Sequence, residues 1–187
     1  MRYKVQIKSI GPMLHHSSYN IGMDTTRKKK GGNAILGDAE EWKKTIYFDE
    51  SFGVYLPSIS LEASFIEAAK QFKMGRGTYS KYFKSGVFIN EIMLPFYVEG
   101  SEIKTLEDKR IIIDRRTVKN PATKGRNMRY RAMFKEWESE FDVTIAADDY
   151  IDKEILQDVM NYAGKFIGVG DYRPRFGRFT VVSMKKL

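Results

Sequence analysis

The densest chemistry in the chain lies near its C-terminus, in the run GKFIGVGDYRPRFGRF from Gly164 to Phe179. Gly168, Gly170 and Gly177 bracket Arg173, Pro174 and Arg175, and Arg178 follows. Glycines let a backbone turn tightly and bring bare amides close to a ligand. Arginines beside such amides match the geometry of phosphate oxygens. The pattern is not a dinucleotide fingerprint, which follows a strand and opens a helix, whereas this run leaves a helix and enters a strand. No G-x-x-x-x-G-K-[ST] loop occurs in the sequence. No nucleotide cofactor is expected.

A second basic stretch spans residues 110 to 131. Arg115, Arg116, Lys119, Lys124, Arg126, Arg129 and Arg131 stand there against a single acid, Asp114. Its sub-stretch VKNPATKGRN carries proline and glycine and predicts a hairpin tip. Arginine at this density favours a phosphate-contacting surface over a merely solvated face. A third basic cluster, Arg27-Lys28-Lys29-Lys30 before Gly31-Gly32, falls in an aperiodic segment from 15 to 40. It reads either as a solvated loop or as an arm that orders on a phosphate backbone. Between them, KMGRGTYSKYFKSG (73–86) interleaves Tyr79, Tyr82 and Phe83 with Arg76, Lys81 and Lys84. Such rings can stack on unpaired bases, or simply pack on the body.

Acid–base candidates are few. His15 and His16 are the only histidines. They follow the first strand, in what reads as a flexible polar segment, and either could serve as a general base near neutral pH. Adjacent residues after a strand point in different directions, which argues against a metal held by both. The pairs Glu40-Glu41 and Asp148-Asp149 read as surface or helix-start acids. No nucleophile triad can be assembled, and no metal site is expected.

Composition bounds the rest. The chain has 187 residues, 42% hydrophobic and 30% charged, enough for one good core. Cysteine is absent, so disulfides and cysteine-containing zinc sites are excluded. The net charge of +8 attracts polyanions. No window reaches the roughly 18 apolar residues of a membrane span. The opening MRYKVQIKSI alternates and does not read as a secretory signal. A cytoplasmic protein is expected, with no membrane partner.

These residues need elements to hold them. Tyr3, Val5 and Ile7 alternate with lysines and glutamine, predicting a half-buried strand over 3–10 that Gly11-Pro12 ends. Asp38 to Lys44 suggests one helical turn capped by Asp38. Strands are expected at 46–48 and 53–56. Pro57-Ser58 opens a helix to about Phe72, with Leu61, Phe65, Ala68 and Phe72 on one face. Short strands follow at 87–89, 92–96 and 111–113, and another at 137–145. Asp149 or Asp152 caps a helix ending near Gly168, with Ile155, Leu156, Val159, Met160, Ala163 and Ile167 as its apolar stripe. Gly164 is suited to close packing, and FTVVSM (179–184) is the last strand. The order fits an α+β, ferredoxin-like (RRM-like) βαββαβ core with an antiparallel sheet. A long loop follows strand 1, and a large basic insertion, about 73–136, lies between the two core helices of a single 1–187 domain. Helices pack on one face of such a sheet and leave the other free for a ligand.

The glycine-rich run before the last strand resembles that of the RAMP superfamily, the ferredoxin-like RNA-binding subunits of CRISPR effector complexes and their relatives. The first strand with its Gly11-Pro12-Met13-Leu14 exit resembles the same family, as does the strand-to-helix entry Tyr55-Leu56-Pro57-Ser58-Ile59-Ser60-Leu61. The backbone subunits that polymerise along a guide RNA are the most similar members. Uncharacterised phage proteins share the ending of alanine-glycine, G-x-G-D, R-P and F-G-R-F. The resemblance covers both ends and the first helix; residues 73 to 145 match only in being insertion-like. It implies single-stranded RNA, or single-stranded DNA, held along a positive groove by backbone phosphates and a few stacked bases, with little sequence preference. Gly168, Gly170, Arg173, Arg175 and Arg178 would lie near that backbone, with Ser58 and Ser60 facing it. Lys28, Lys29, Arg115, Arg116 and Arg126 would clamp flanking nucleotides or a neighbouring subunit, in self-association or with other effector subunits. Some relatives cut RNA with an N-terminal histidine, so a metal-independent endoribonuclease using His15 or His16 is an alternative. Others use a loop aspartate, and Asp24 lies in a comparable loop. A phage structural or assembly protein is a third reading.

Overall fold

The structure is a computed structural model that describes residues 1–17, 40–119 and 125–187. It is α+β. The elements run β1 (Arg2–Ser9), β2 (Met13–Leu14), α1 (Glu41–Thr45), β3 (Phe48–Asp49), β4 (Gly53–Pro57), α2 (Ser58–Ala69), β5 (Lys73–Met74), β6 (Gly77–Thr78), α3 (Ser80–Gly86) and β7 (Val87–Ile89). Then come β8 (Met93–Pro95), β9 (Tyr97–Val98), β10 (Ser101–Glu102), β11 (Ile112–Lys119), β12 (Arg126–Phe134), β13 (Glu138–Ile145), α4 (Lys153–Tyr162), one π turn (Ala163–Ile167) and β14 (Phe179–Lys186).

The main sheet is built around β1, with β14 on one side and β13 on the other. Beyond β13 lie β7 and β9, and β10 pairs with β9; every pairing is antiparallel. Alternation decides which face is buried. Tyr3, Val5 and Ile7 of β1 point inward with Phe141, Val143 and Ile145 of β13. They meet Leu61, Phe65 and Ala68 of α2 and Leu156, Val159 and Met160 of α4, all buried in one cluster. The side chain of Asp152 caps α4 by accepting from the Ile155 amide at 2.8 Å. Asp38, the expected cap of α1, lies outside the described residues.

The opposite face of the sheet is open, but it is not a bare basic surface. Arg2, Lys4 and Lys8 of β1 face Asp142, Glu140 and Glu138 of β13 at 3.2, 3.7 and 3.0 Å. Exposed pairs of this kind stabilise little. Their effect here is to cancel the positive charge that a polyanion would need. The expected ligand face is therefore charge-balanced.

Residues 73–136, expected as an insertion, supply β7, β9 and β10 to the main sheet and a long hairpin, β11–β12, whose far strand pairs with β2. Of the two readings open for 73–86, packing on the body is the one observed. The segment is not a loop offering rings to bases, because 80–86 is helical and Phe83 is buried. Tyr79 and Tyr82 pack against the core, and Tyr82 stacks on Tyr150 at 4.5 Å. Trp137, expected to open a strand, precedes β13 and stacks on Phe96 at 5.9 Å. Its indole N–H donates to the Gly11 carbonyl at 3.3 Å, fixing the exit of β1.

Past α4 the chain makes its π turn directly against β14. A Cβ on Gly164 would lie 2.2 Å from the Phe179 carbonyl oxygen, nearer than any atom can approach. Gly164→Ala is expected to lower unfolding free energy by about 1–3 kcal/mol or more, since neither backbone can yield cheaply. Urea denaturation followed by circular dichroism measures it, and an unchanged midpoint would contradict this packing.

Candidate nucleic-acid interface

From Gly168 to Arg178 the chain folds back on itself before β14. Gly177 has φ of 75°, and a Cβ there would lie 1.6 Å from the Val169 carbonyl oxygen. Gly170, at φ of 77°, sits over the Leu14 carbonyl, 2.5 Å from where its Cβ would be. These glycines exist because the protein's own backbone approaches them. The amides follow the same logic. Gly168 donates to Ala163 O (2.7 Å), Val169 to Gly177 O (2.9 Å), Asp171 to Leu14 O (2.9 Å) and Gly177 to Pro12 O (2.8 Å). The expectation of a bare amide for a polyanion is thus corrected at Gly168. The loop's donors at 168, 169, 171 and 177 are consumed inside the fold, as buried backbone groups must be.

What remains outside is the side chains. Arg173, Arg175 and Arg178 are exposed. Among the described residues none of the three has a carboxylate within ion-pair distance; Arg173 makes one long contact, Nη1 to Gly168 O at 3.5 Å. Two rings stand beside them, Phe166 at 50% and Tyr172 at 58% exposure. An open hollow of about 490 Å³ runs past Phe166, Gly170, Tyr172 and Arg173. A neighbouring one of about 500 Å³ is lined by Lys165, Phe166, Arg175 and Arg178. Phe166, Tyr172 and Lys165 were missed in the sequence. The signal for Phe166 was available: it adjoins Ile167 but falls off the apolar stripe of α4, which leaves a large ring facing solvent.

The β11–β12 hairpin extends this surface. Arg115 and Arg126 are exposed, with the Arg115 guanidinium 5.8 Å from the Tyr130 ring. Arg116 lies over the Phe176 ring of the glycine loop at 4.8 Å, and its Nε bonds the buried Asp114 at 2.7 Å. Arg131, also buried, pairs with Asp171 at 2.9 Å. Hairpin and loop are therefore joined by two cross-contacts, Arg116 on Phe176 and Arg131 on Asp171. Lys28 and Lys29, and Asp24, lie outside the described residues.

The entry to α2 contributes less than expected. Ser58 is buried, with its amide on Ile92 O at 3.0 Å, so it does not face a surface groove. Ser60 is half-buried. Burial raises the Tyr47 phenol above its ordinary pKa; nearby Tyr55 and Asp171 act in the same direction, while Ser60 is close enough to the Tyr47 hydroxyl to pull its pKa down.

His15 is not in a flexible polar segment. It is fully buried, its ring 4.8 to 5.3 Å from those of Phe134, Tyr47 and Phe96. Nδ1 accepts from the Tyr47 amide at 3.3 Å, while Nε2 is buried without a hydrogen-bond partner. Burial pulls its pKa down to about 3. His15 therefore has no access to a 2′-hydroxyl, and the general-base role expected of it does not stand. His16 is half-buried, with its carbonyl accepting from the Tyr47 hydroxyl at 3.4 Å. Among the described residues no three metal-ligating side chains converge, and no helix is long and apolar enough to cross a membrane.

No family model and no curated protein matches this chain.

The His15 site sets a pH dependence. The imidazole titrates near 3 when folded and near 6.5 when free, so the unfolded chain binds the proton first. Its contribution is present above about pH 6.5 and is lost as pH falls toward 3, at about 1.4 kcal/mol per unit. Between pH 7.5 and 5, the parent protein is expected to lose about 2 kcal/mol more stability than His15→Phe. Equal losses in paired denaturation curves would contradict the buried neutral imidazole.

Proposed function

We propose that this protein binds single-stranded nucleic acid, RNA first, on the basic surface formed by the glycine-rich loop and the β11–β12 hairpin. The observation that carries the reading is the trio Arg173, Arg175 and Arg178. They are exposed, without a carboxylate partner among the described residues, beside the exposed rings of Phe166 and Tyr172. Cations for phosphates and flat rings for bases are the two parts of a sequence-tolerant single-strand site. The main sheet does not serve, because its acids already answer its bases. Backbone amides do not serve at 168, 169, 171 and 177 either, so guanidinium and ammonium groups supply the phosphate contacts.

The RAMP resemblance draws support from topology. The order β14–β1–β13–β7, with α2 and α4 on one face, matches the fourth, first, third and second strands of a ferredoxin-like βαββαβ core. The β11–β12 hairpin then occupies the place of a protruding thumb between core strands two and three. On this reading, the function is that of a non-catalytic RNA-binding subunit.

Fluorescence anisotropy with a labelled RNA of mixed sequence tests it. Affinity is expected to fall steeply with salt, with a log–log slope of about −0.7 per phosphate neutralised. Arg173→Ala and Arg175→Ala should each weaken all sequences alike and reduce that slope by about 0.7. Binding that ignores salt, or that both variants leave intact, would overturn the proposal. A DNA strand of the same sequence tells whether the 2′-hydroxyl contributes.

A further inference from the structure

One cavity at this surface differs from the open hollows around Arg173 and Arg175. At the seam between the hairpin and the glycine loop lies a more enclosed space of about 340 Å³, lined by Arg116, Thr117, Lys119, Arg131, Asp171 and Tyr172. Its volume falls within the roughly 300–1,000 Å³ range of small-molecule sites. It combines a flat ring, a carboxylate and guanidinium groups within one recess.

Each of these parts is held in place. Tyr172 adopts φ of 56°, a conformation that costs a non-glycine residue about 1 kcal/mol or more. It is kept there by its own amide, which donates to Asp171 Oδ1 at 2.8 Å, and by the Phe176 amide on its carbonyl at 3.2 Å. The ring lies 5.8 Å from Phe176, which in turn carries the Arg116 guanidinium. Asp171 accepts from Tyr172 through one oxygen and pairs with Arg131 through the other. A carboxylate has about four acceptor positions, so lone pairs remain on a side chain that is still 31% exposed.

We infer that this cavity takes one unstacked guanine base, which rests on the proposed single-strand binding and adds a preference to it. A carboxylate favours guanine because N1–H and N2–H₂ are neighbouring donors, whereas uracil, cytosine and adenine each offer a single donor group on the pairing edge. Guanine O6 and N7 are both acceptors and suit a guanidinium, of which the cavity has two. The Tyr172 ring supplies the stacking face, and Lys119 at the rim suits the attached phosphate. The protein is thus tolerant of sequence along most of the strand and selective at one position.

Amide NMR titrations with GMP, AMP, CMP and UMP test this without any polymer. GMP is expected to shift the Tyr172, Asp171 and Lys119 amides at least about fivefold more tightly than the other three, the lower end of base discrimination by paired hydrogen bonds. IMP, which lacks the N2 amino group, should lose that advantage with no change to the protein. Tyr172→Ala removes only an exposed ring and should weaken all nucleotides alike, while Asp171→Asn should abolish the preference for GMP over IMP. Equal affinities for all nucleotides, GMP shifts away from these residues, or no GMP binding would overturn the inference even if RNA binds tightly. GMP bound here by a protein that ignores RNA would instead sink the function proposed above and leave the pocket standing.

Discussion

Two hydrogen bonds tie the glycine loop to the exit of the first strand. The amide of Gly177 donates to the Pro12 carbonyl and that of Asp171 to the Leu14 carbonyl, at 2.8 and 2.9 Å. Pro12 to Leu14 is where the first strand leaves the main sheet and joins the hairpin sheet through β2. The arginine loop and the hairpin meet at this junction. It sets where the arginine loop lies, brings Asp171 to Arg131 and Phe176 under Arg116, and so places two distant basic segments side by side. Glycine is demanded at 170 and 177 by the closeness of these backbone contacts, not by an incoming ligand.

Electrostatics then separates the two surfaces the protein could offer. On the main sheet, each of Arg2, Lys4 and Lys8 meets an acid of the neighbouring strand. On the loop, Arg173, Arg175 and Arg178 meet none among the described residues. A net charge of +8 says nothing about where the excess sits. Geometry assigns it: strand pairing neutralises one face, and a loop whose one acid, Asp171, is paired with Arg131 leaves the other positive. Only unanswered charge draws a polyanion or releases its counterions.

The framework was legible because its signals are local. Alternation at Tyr3, Val5 and Ile7 read directly as β1, and the stripes through Leu61 and Phe65 and through Leu156, Val159 and Met160 read as the two helices that cover it. Asp152 was one of two candidate caps, with Asp149, and Gly164 was read as suited to close packing. What escaped depends on contacts between segments far apart in the chain. His15 looked like a loop histidine because the rings that enclose it come from positions 47, 96 and 134. The amides of the glycine loop looked available because their acceptors lie at positions 12, 14 and 163 or within the same turn. For Tyr82 and Phe83 base stacking and packing on the body were both open, and α3 turns them inward. Ser58 looked like a groove residue, yet its side chain is buried and its amide is taken by Ile92 O. Arg173, Arg175 and Arg178 are exposed because no carboxylate among the described residues reaches them, whereas Arg116 is engaged by Asp114 and Phe176.

β14 has β1 on one side, and its other edge has no strand among the described residues. Such an edge is a template on which a second copy can pair. Here the pairing with β1 slips between Gln6 and Ile7, which leaves Val182 as an extra residue, more than half exposed. Lys185 and Lys186 then close the strand with two exposed charges. A kink and terminal lysines are the usual guards against sheet fusion. Many copies crowded onto a common filament would therefore touch through side chains and remain separable, instead of zipping into a continuous ribbon.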